Sequence, residues 1–283
     1  MSYDMQRLLV VTILCGASAG ACASDAQSFE VESVQQEIIG GVETSEFPDV
    51  ALLRGLTGGE SGCSATRIAR SFLLTAGHCF SEGQTDASNV FAVFSPSTDT
   101  QSAEAWIGRV AVLSEDAGAN DLAVLEILNP DDVDRVAGQS ALLKKGPLYA
   151  REEVTVVGWG CTSSEWDEES GDWLDGPGRG TKRLRETTLE SGGNTAVTRK
   201  VGCRGDSGGP LFIGHGEALG GVTSFAHRDE DGNETTHFAD VVNNRGWIHE
   251  QVRNMGGPDD IVELAVNATI HESEHERTVI IRQ

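Results

Sequence analysis

Gly205-Asp206-Ser207-Gly208-Gly209-Pro210 is the part of the chain from which the rest can be read. Three glycines around one serine suit a tight turn with unusual dihedrals and close approach of another backbone. A serine hydroxyl is a weak nucleophile at neutral pH and needs an adjacent base. Upstream stand Thr75-Ala76-Gly77-His78-Cys79 and Asn120-Asp121-Leu122-Ala123-Val124-Leu125. A histidine, an aspartate and a serine therefore follow in the order His, Asp, Ser, each in its own surround. Taken singly, His78 reads as a packed residue, Asp121 as a strand-edge carboxylate and the hexapeptide as a loop. Taken together, they point to nucleophilic catalysis.

The order and surrounds resemble the chymotrypsin/trypsin-like serine proteases, from about Ile38 to about Met255. The resemblance implies an all-β fold of two six-stranded antiparallel β-barrels, with the active site between them and a C-terminal helix. It implies His78 as general base and later general acid, Asp121 as the buried carboxylate that orients it, and Ser207 as nucleophile. The amides of Gly205 and Ser207 would form the oxyanion hole, where loss of one donor costs about 2.7–4 kcal/mol. Strands are legible in Val50–Leu53, Ser71–Thr75, Val90–Phe94 and Val154–Val157, each a short apolar or β-branched run between turn formers. Trp247–Val252 reads as the closing helix.

Glu37-Ile38-Ile39-Gly40-Gly41-Val42 resembles the point where zymogens of this family are cut. The α-amine freed at Ile38, normally of pKa about 7.7–8.0, would pair with Asp206 and hold the oxyanion loop. Glu37 precedes the bond, so an ordinary trypsin-like activator is not the expected one.

Residues 1–22 carry Arg7, then Leu8-Leu9-Val10-Val11-Thr12-Ile13-Leu14, then small residues. An apolar core this short reads as a secretory signal rather than a membrane span. Ala19-Gly20-Ala21-Cys22 leaves two outcomes open: ordinary cleavage near Ala21 or Ala23, or a bacterial lipoprotein cut before a lipidated Cys22. The expected division is signal 1–22, propeptide 23–37, peptidase domain 38–256 and a C-terminal extension 257–283 whose role is unread. Export, to the medium, periplasm or cell surface, provides an oxidising compartment for Cys63, Cys79, Cys161 and Cys203, which allow three pairings. The resemblance pairs Cys63 with Cys79. It places the usual partner of Cys203 after Ser224-Phe225-Ala226, where this chain has no cysteine, which leaves Cys161 for Cys203, a bridge worth about 4 kcal/mol.

A net charge of −23 argues against nucleic acid and anionic membranes as partners. Protein or peptide substrates, a monomer and no cofactor are expected. Much of the acid lies in Ser164–Asp172, read as a mobile loop near the cleft, and in Arg228–Glu234, read as a solvated turn rather than a calcium loop. By the resemblance, Val201 falls near the base of the specificity pocket, where a trypsin-like enzyme would carry Asp. Ser224-Phe225-Ala226 would pair with the substrate backbone, and Ala226 and Thr236 would narrow the pocket. Cleavage after small or medium apolar residues follows. The rival is a glutamate-specific enzyme that uses His237, Thr223, Lys200 and Arg204 and cuts its own Glu37–Ile38 bond. A rival of another class is a catalytically silent binding protein on the same scaffold.

His271-Glu272-Ser273-Glu274-His275 matches the H-E-x-x-H motif of zinc proteases. That motif needs a helix and a third ligand. The flanks Val262–Val266 and Thr278–Ile281 look extended, so the match reads as coincidence and no metal is expected.

Overall fold

The computed structural model describes residues 38–56, 62–80, 87, 89–95, 102–193, 195–258, 263–264, 268–273 and 276–281. The last three stretches are described by their backbone. The expected signal, propeptide, Cys22 and Glu37 lie outside them. After the two-residue β1 (Val42–Glu43) come β2 (Val50–Arg54), β3 (Cys63–Ala69) and β4 (Phe72–Thr75), then β5 (Phe91–Phe94), β6 (Ala103–Val112) and β7 (Ala123–Ile127). Strands β2 to β7 close into a barrel in the order β2-β3-β4-β7-β6-β5. β2 to β4 are buried almost throughout because both their faces are covered; β2 and β4 read as apolar runs rather than alternations, while β3 also carries Ser64, Thr66 and Arg67. Arg67, inside β3, is 1% exposed and bonds the carbonyls of Arg70 and Gly138 and the carboxylate of Asp134.

The turn α1 (Pro130–Val133) and β8 (Leu143–Lys144) lead to the second half. There follow β9 (Glu153–Gly158), the hairpin β10 (Ser164–Asp167) and β11 (Asp172–Asp175), β12 (Arg183–Thr188) and β13 (Ala196–Arg199). β14 (Pro210–Ile213), β15 (Ala218–Arg228) and β16 (Glu234–Asp240) complete the sheet. Its ladder runs β1-β12-β9-β14-β15-β16-β13. Among the described residues no ladder joins its ends, so the second barrel is a curled, open sheet. The fold is all-β with one long helix, α2 (Val241–Asn254), as expected. Asp240 caps that helix by accepting from the Asn243 amide at 2.9 Å, and Gly256, at φ 79°, lies just beyond its end.

Both bridges are present, Cys63–Cys79 and Cys161–Cys203. The acidic segment 164–175 is a paired hairpin, not a loop: Trp166 faces Trp173 across it, with ring centroids 5.2 Å apart. The 228–234 segment is the turn between β15 and β16. The Asp229 carboxylate there accepts from the amides of Asp231 and Asn233 and from the Asn233 side chain. Of the H-E-x-x-H run, His271–Ser273 lie on β18 (Ala268–Ser273), which follows β17 (Glu263–Leu264) and pairs with β19 (Glu276–Ile281), while Glu274 and His275 lie outside the described residues. A strand alternates faces, so the helical spacing that the zinc motif requires is lost.

Candidate active site

His78 sits in one turn of 3₁₀ helix, Gly77–Phe80, at the end of β4. A Cβ on Gly77 would lie 1.8 Å from the Ser114 carbonyl oxygen, so only glycine lets the turn pack there. Cys63–Cys79 ties the turn to β3. Asp121, fully buried, faces it from the loop before β7. Its Oδ1 accepts from the His78 amide at 2.8 Å, and its Oδ2 lies 2.7 Å from His78 Nδ1. A carboxylate can only accept, so Nδ1 carries the proton and Nε2 is left basic. The Ser224 hydroxyl donates to Asp121 Oδ2 at 2.5 Å and accepts from the Gly118 amide at 3.0 Å. Ser224 was expected only as a substrate-strand residue; its bond to Asp121 has no signal in the sequence.

Ser207 lies in the turn before β14. Gly205 (φ 99°) and Gly208 (φ 83°) occupy the left-handed region that glycine enters freely. A Cβ on Gly208 would stand 2.0 Å from Thr75 Oγ1 and 3.1 Å from the Ala76 nitrogen. The serine turn therefore presses on the backbone that enters the histidine turn. The Ser64 amide donates to the Ser207 carbonyl at 2.7 Å, and its hydroxyl to the Gly205 carbonyl at 2.9 Å. Among the described residues neither the Gly205 amide nor the Ser207 amide donates a hydrogen bond, and Ser207 is not hydrogen-bonded to His78. Catalytic hydrogen bonds often tighten only when substrate binds.

Asp206 is fully buried, and that burial pushes its carboxyl up to about 7 against the partly offsetting amides of Cys203 and Gly160 and the charge of Arg183. Ile38 is also fully buried, in the apolar cluster that holds Val201, Leu211 and Phe238. Val201 is thus a core residue and does not line the cavity beside Ser207.

That cavity, about 580 Å³ with its open mouth, is walled by Gly202, Cys203, Arg204, Thr223, Ser224, Phe225, Ala226 and Thr236. Ser164, Trp173 and Asp175 of the β10–β11 hairpin complete it. Thr236 Oγ1 accepts from the amides of Val201 and Gly202, each at 3.0 Å, and so sets the wall's shape. Thr223 Oγ1 is buried without a hydrogen-bond partner among the described residues. The cations of the rival reading are engaged by acids of the chain itself. Lys200 lies over the Trp173 ring and 3.3 Å from Glu234, while Arg204 bonds Asp172 at 2.8 Å. His237 stacks on Phe225 at 4.4 Å and bonds Thr235, outside the cavity wall. Two cysteine-containing groups, Cys63-His78-Cys79 and Cys161-Asp175-Cys203, have metal-like spacing. Their cysteines are all disulfide-bonded and have no thiolate to offer a metal.

The profile of the family described as Trypsin matches residues 38–248. Trypsin alpha-4 of Lucilia cuprina is 27% identical over 258 residues, which cover 85% of this chain and 97% of that protein. Trypsin 5G1 of Aedes aegypti is 27% identical over 228 residues, with 75% and 84% covered. Transmembrane protease serine 9 of Rattus norvegicus is 28% identical over 250 residues, but the chain spans only 22% of that protein's length. Among solved structures, a mutant of human heparin binding protein (CAP37) aligns with TM-score 0.58 at 24% identity, covering 78% of this chain and 98% of that one. Among the described residues no helix is long and apolar enough to cross a membrane.

Proposed function

Since the chain belongs to the trypsin family of serine proteases, we propose that it is an exported, monomeric serine endopeptidase working through His78, Asp121 and Ser207. The observation that carries this reading is the buried Asp121 carboxylate, which binds both the amide and Nδ1 of His78 beside the Ser207 turn. Nε2 takes the Ser207 hydroxyl proton as Oγ attacks the scissile carbonyl carbon. The carbonyl oxygen becomes an oxyanion between the amides of Gly205 and Ser207. The imidazolium, stabilised by Asp121, then gives that proton to the leaving amine as the C–N bond breaks and the acyl-enzyme forms. Water, deprotonated by the same Nε2, attacks the ester, and the proton returns to Ser207 Oγ as the acid product leaves.

The enzyme is made with signal 1–22 and propeptide 23–37, and cleavage between Glu37 and Ile38 supplies Asp206 with an ammonium partner. Ala226 and Thr236 narrow the cavity toward small or medium apolar side chains. A preference for glutamate is the second reading, favoured by the unpaired Thr223 hydroxyl in the wall and by Glu37 itself. The test is a peptide-library profile of the protein cut before Ile38, with Ser207→Ala as control. Cleavage after Ala, Val or Leu that disappears in the control is expected, with kcat down by about 10⁴–10⁶. Cleavage after Glu overturns the specificity alone. Hydrolysis that persists in a clean Ser207→Ala preparation overturns the mechanism. Absence of any cleavage by the folded, cut protein returns the weight to a silent binding protein.

A further inference from the structure

The β10–β11 hairpin has two unlike faces. Ser164 pairs with Asp175 and Trp166 with Trp173, so these four share one face, while Glu165, Asp167, Asp172 and Leu174 share the other. The first face is partly buried throughout, whereas Glu165, Asp172 and Leu174 on the second are exposed. Three residues of the first face, Ser164, Trp173 and Asp175, line the cavity beside Ser207. The hairpin is therefore a two-stranded flap with its apolar rings turned inward and its acids turned to water.

Contacts at its root and on both flanks hold the flap in place. At its root the Gly176 amide donates to the Ser163 carbonyl at 2.7 Å and the Thr162 amide to the Pro177 carbonyl at 2.8 Å. The Cys161–Cys203 bridge joins that root to a residue of the cavity wall. On one flank Arg204 bonds Asp172 at 2.8 Å and lies 3.5 Å from Asp175. On the other, Arg228 at the end of β15 lies 6.0 Å from the Trp166 ring centre and 3.2 Å from Glu168. Lys200, just after β13, holds Trp173 itself: its ammonium lies over the ring and 3.3 Å from Glu234. The Lys200 side chain is only 5% exposed. An ammonium so far removed from water depends on the ring face and the carboxylate that replace it, so the cation and the docked ring sustain each other.

We propose that Trp173 is a specificity-determining residue, a further wall that excludes large side chains before the scissile bond, and that Lys200 is the positioning residue that keeps its ring there. This rests on the serine protease reading above, in which the cavity receives that side chain. Selection by size then depends on a flap outside the main sheet as well as on Ala226 and Thr236 within it.

The test compares kcat/KM for two peptides, with Phe or Ala before the scissile bond, in the protein cut before Ile38. Titration with a fluorophosphonate counts the competent molecules in each preparation. Trp173→Ala is expected to raise the Phe-to-Ala ratio about tenfold or more, the scale on which an apolar pocket resolves side-chain size. Lys200→Met keeps the apolar stem and removes the charge. It is expected to raise the ratio about threefold, through KM for the Phe peptide, and Lys200→Arg to return it to the parent value. An unchanged ratio in Trp173→Ala overturns the proposal and leaves Ala226 and Thr236 to set the size limit alone. Equal loss of kcat on both peptides in Lys200→Met overturns its positioning role. A parent that labels but cleaves neither peptide also overturns the proposal, because the cavity then does not select by size among apolar residues. A parent that does not label overturns the protease reading itself. Should Trp173→Ala fail to fold, Trp173→Leu, which keeps an apolar side chain against Lys200, decides by the same ratio.

Discussion

Raising the pH from 5 to 8 should destabilise the uncut protein through one group, Asp206. Its carboxyl, ordinarily near 3.8, is pushed up to about 7 by complete burial. The folded state therefore holds this proton more tightly than the unfolded chain does. The associated stability is fully present below the unfolded value and is lost as pH rises through the folded one. Of a shift of about three units, at 1.36 kcal/mol each, a little over one is already lost at pH 5, so the loss between pH 5 and 8 is about 2.5 kcal/mol. Asp206→Asn removes the titration at a constant cost. One amide oxygen can still accept from Gly160 or Cys203, but the –NH₂ then faces the other N–H, a penalty of about 1–3 kcal/mol. At pH 5 the variant is expected to be the less stable protein. By pH 8 the gap should close or reverse, because only the parent has lost its proton-linked term. Urea unfolding followed by tryptophan fluorescence at half-unit pH steps measures the difference, in which the shared histidine titrations cancel. A stability gap that stays constant from pH 5 to 8 refutes the reasoning. In the cut protein, an Ile38 ammonium beside Asp206 should flatten the parent's profile.

Ser224→Ala removes a hydrogen bond to a buried carboxylate, worth about 1.5–3 kcal/mol. It is expected to lower kcat roughly 10–100-fold with KM little changed, and steady-state kinetics on a peptide ester checks this. Ala226→Gly widens the cavity wall and is expected to shift kcat/KM toward larger apolar residues by about 10-fold relative to alanine, read from the same peptide library. Arg67→Ala strips a buried guanidinium from two carbonyls and Asp134. A loss of about 3–5 kcal/mol, or roughly 10 °C in Tm by calorimetry, is expected, with the cleavage preference unaltered.

What the sequence by itself determined is whatever is written in adjacent residues. Ala76-Gly77-His78-Cys79 and the Gly205–Gly209 run announce turns through their glycines, although the clashes that Gly77, Gly208 and Gly209 avoid are with Ser114, Thr75 and Val157 from elsewhere in the chain. The apolar runs of β2 and β4 are legible as barrel strands while β3, with Ser64, Thr66 and Arg67, is not; the cysteines alone allowed three pairings, and the family resemblance chose the two bridges that form. Tertiary structure alone decided which residues complete the site from afar. Ser224 reaches Asp121 across 103 residues, and Gly160 reaches Asp206 across 46. No local pattern encodes such a pairing. Val201 was expected in the cavity wall, but the sheet turns it into the core, while the acidic run read as a loop closes as a hairpin over the cavity. H-E-x-x-H looked like a helix motif only as a string of letters; its first three residues, His271–Ser273, lie on a strand, and the period of a strand is two. Local spacing specifies turns and nucleophiles because their forces act within a few residues. Walls, seats and clamps depend on which distant strands meet, and the folded sheet settles that.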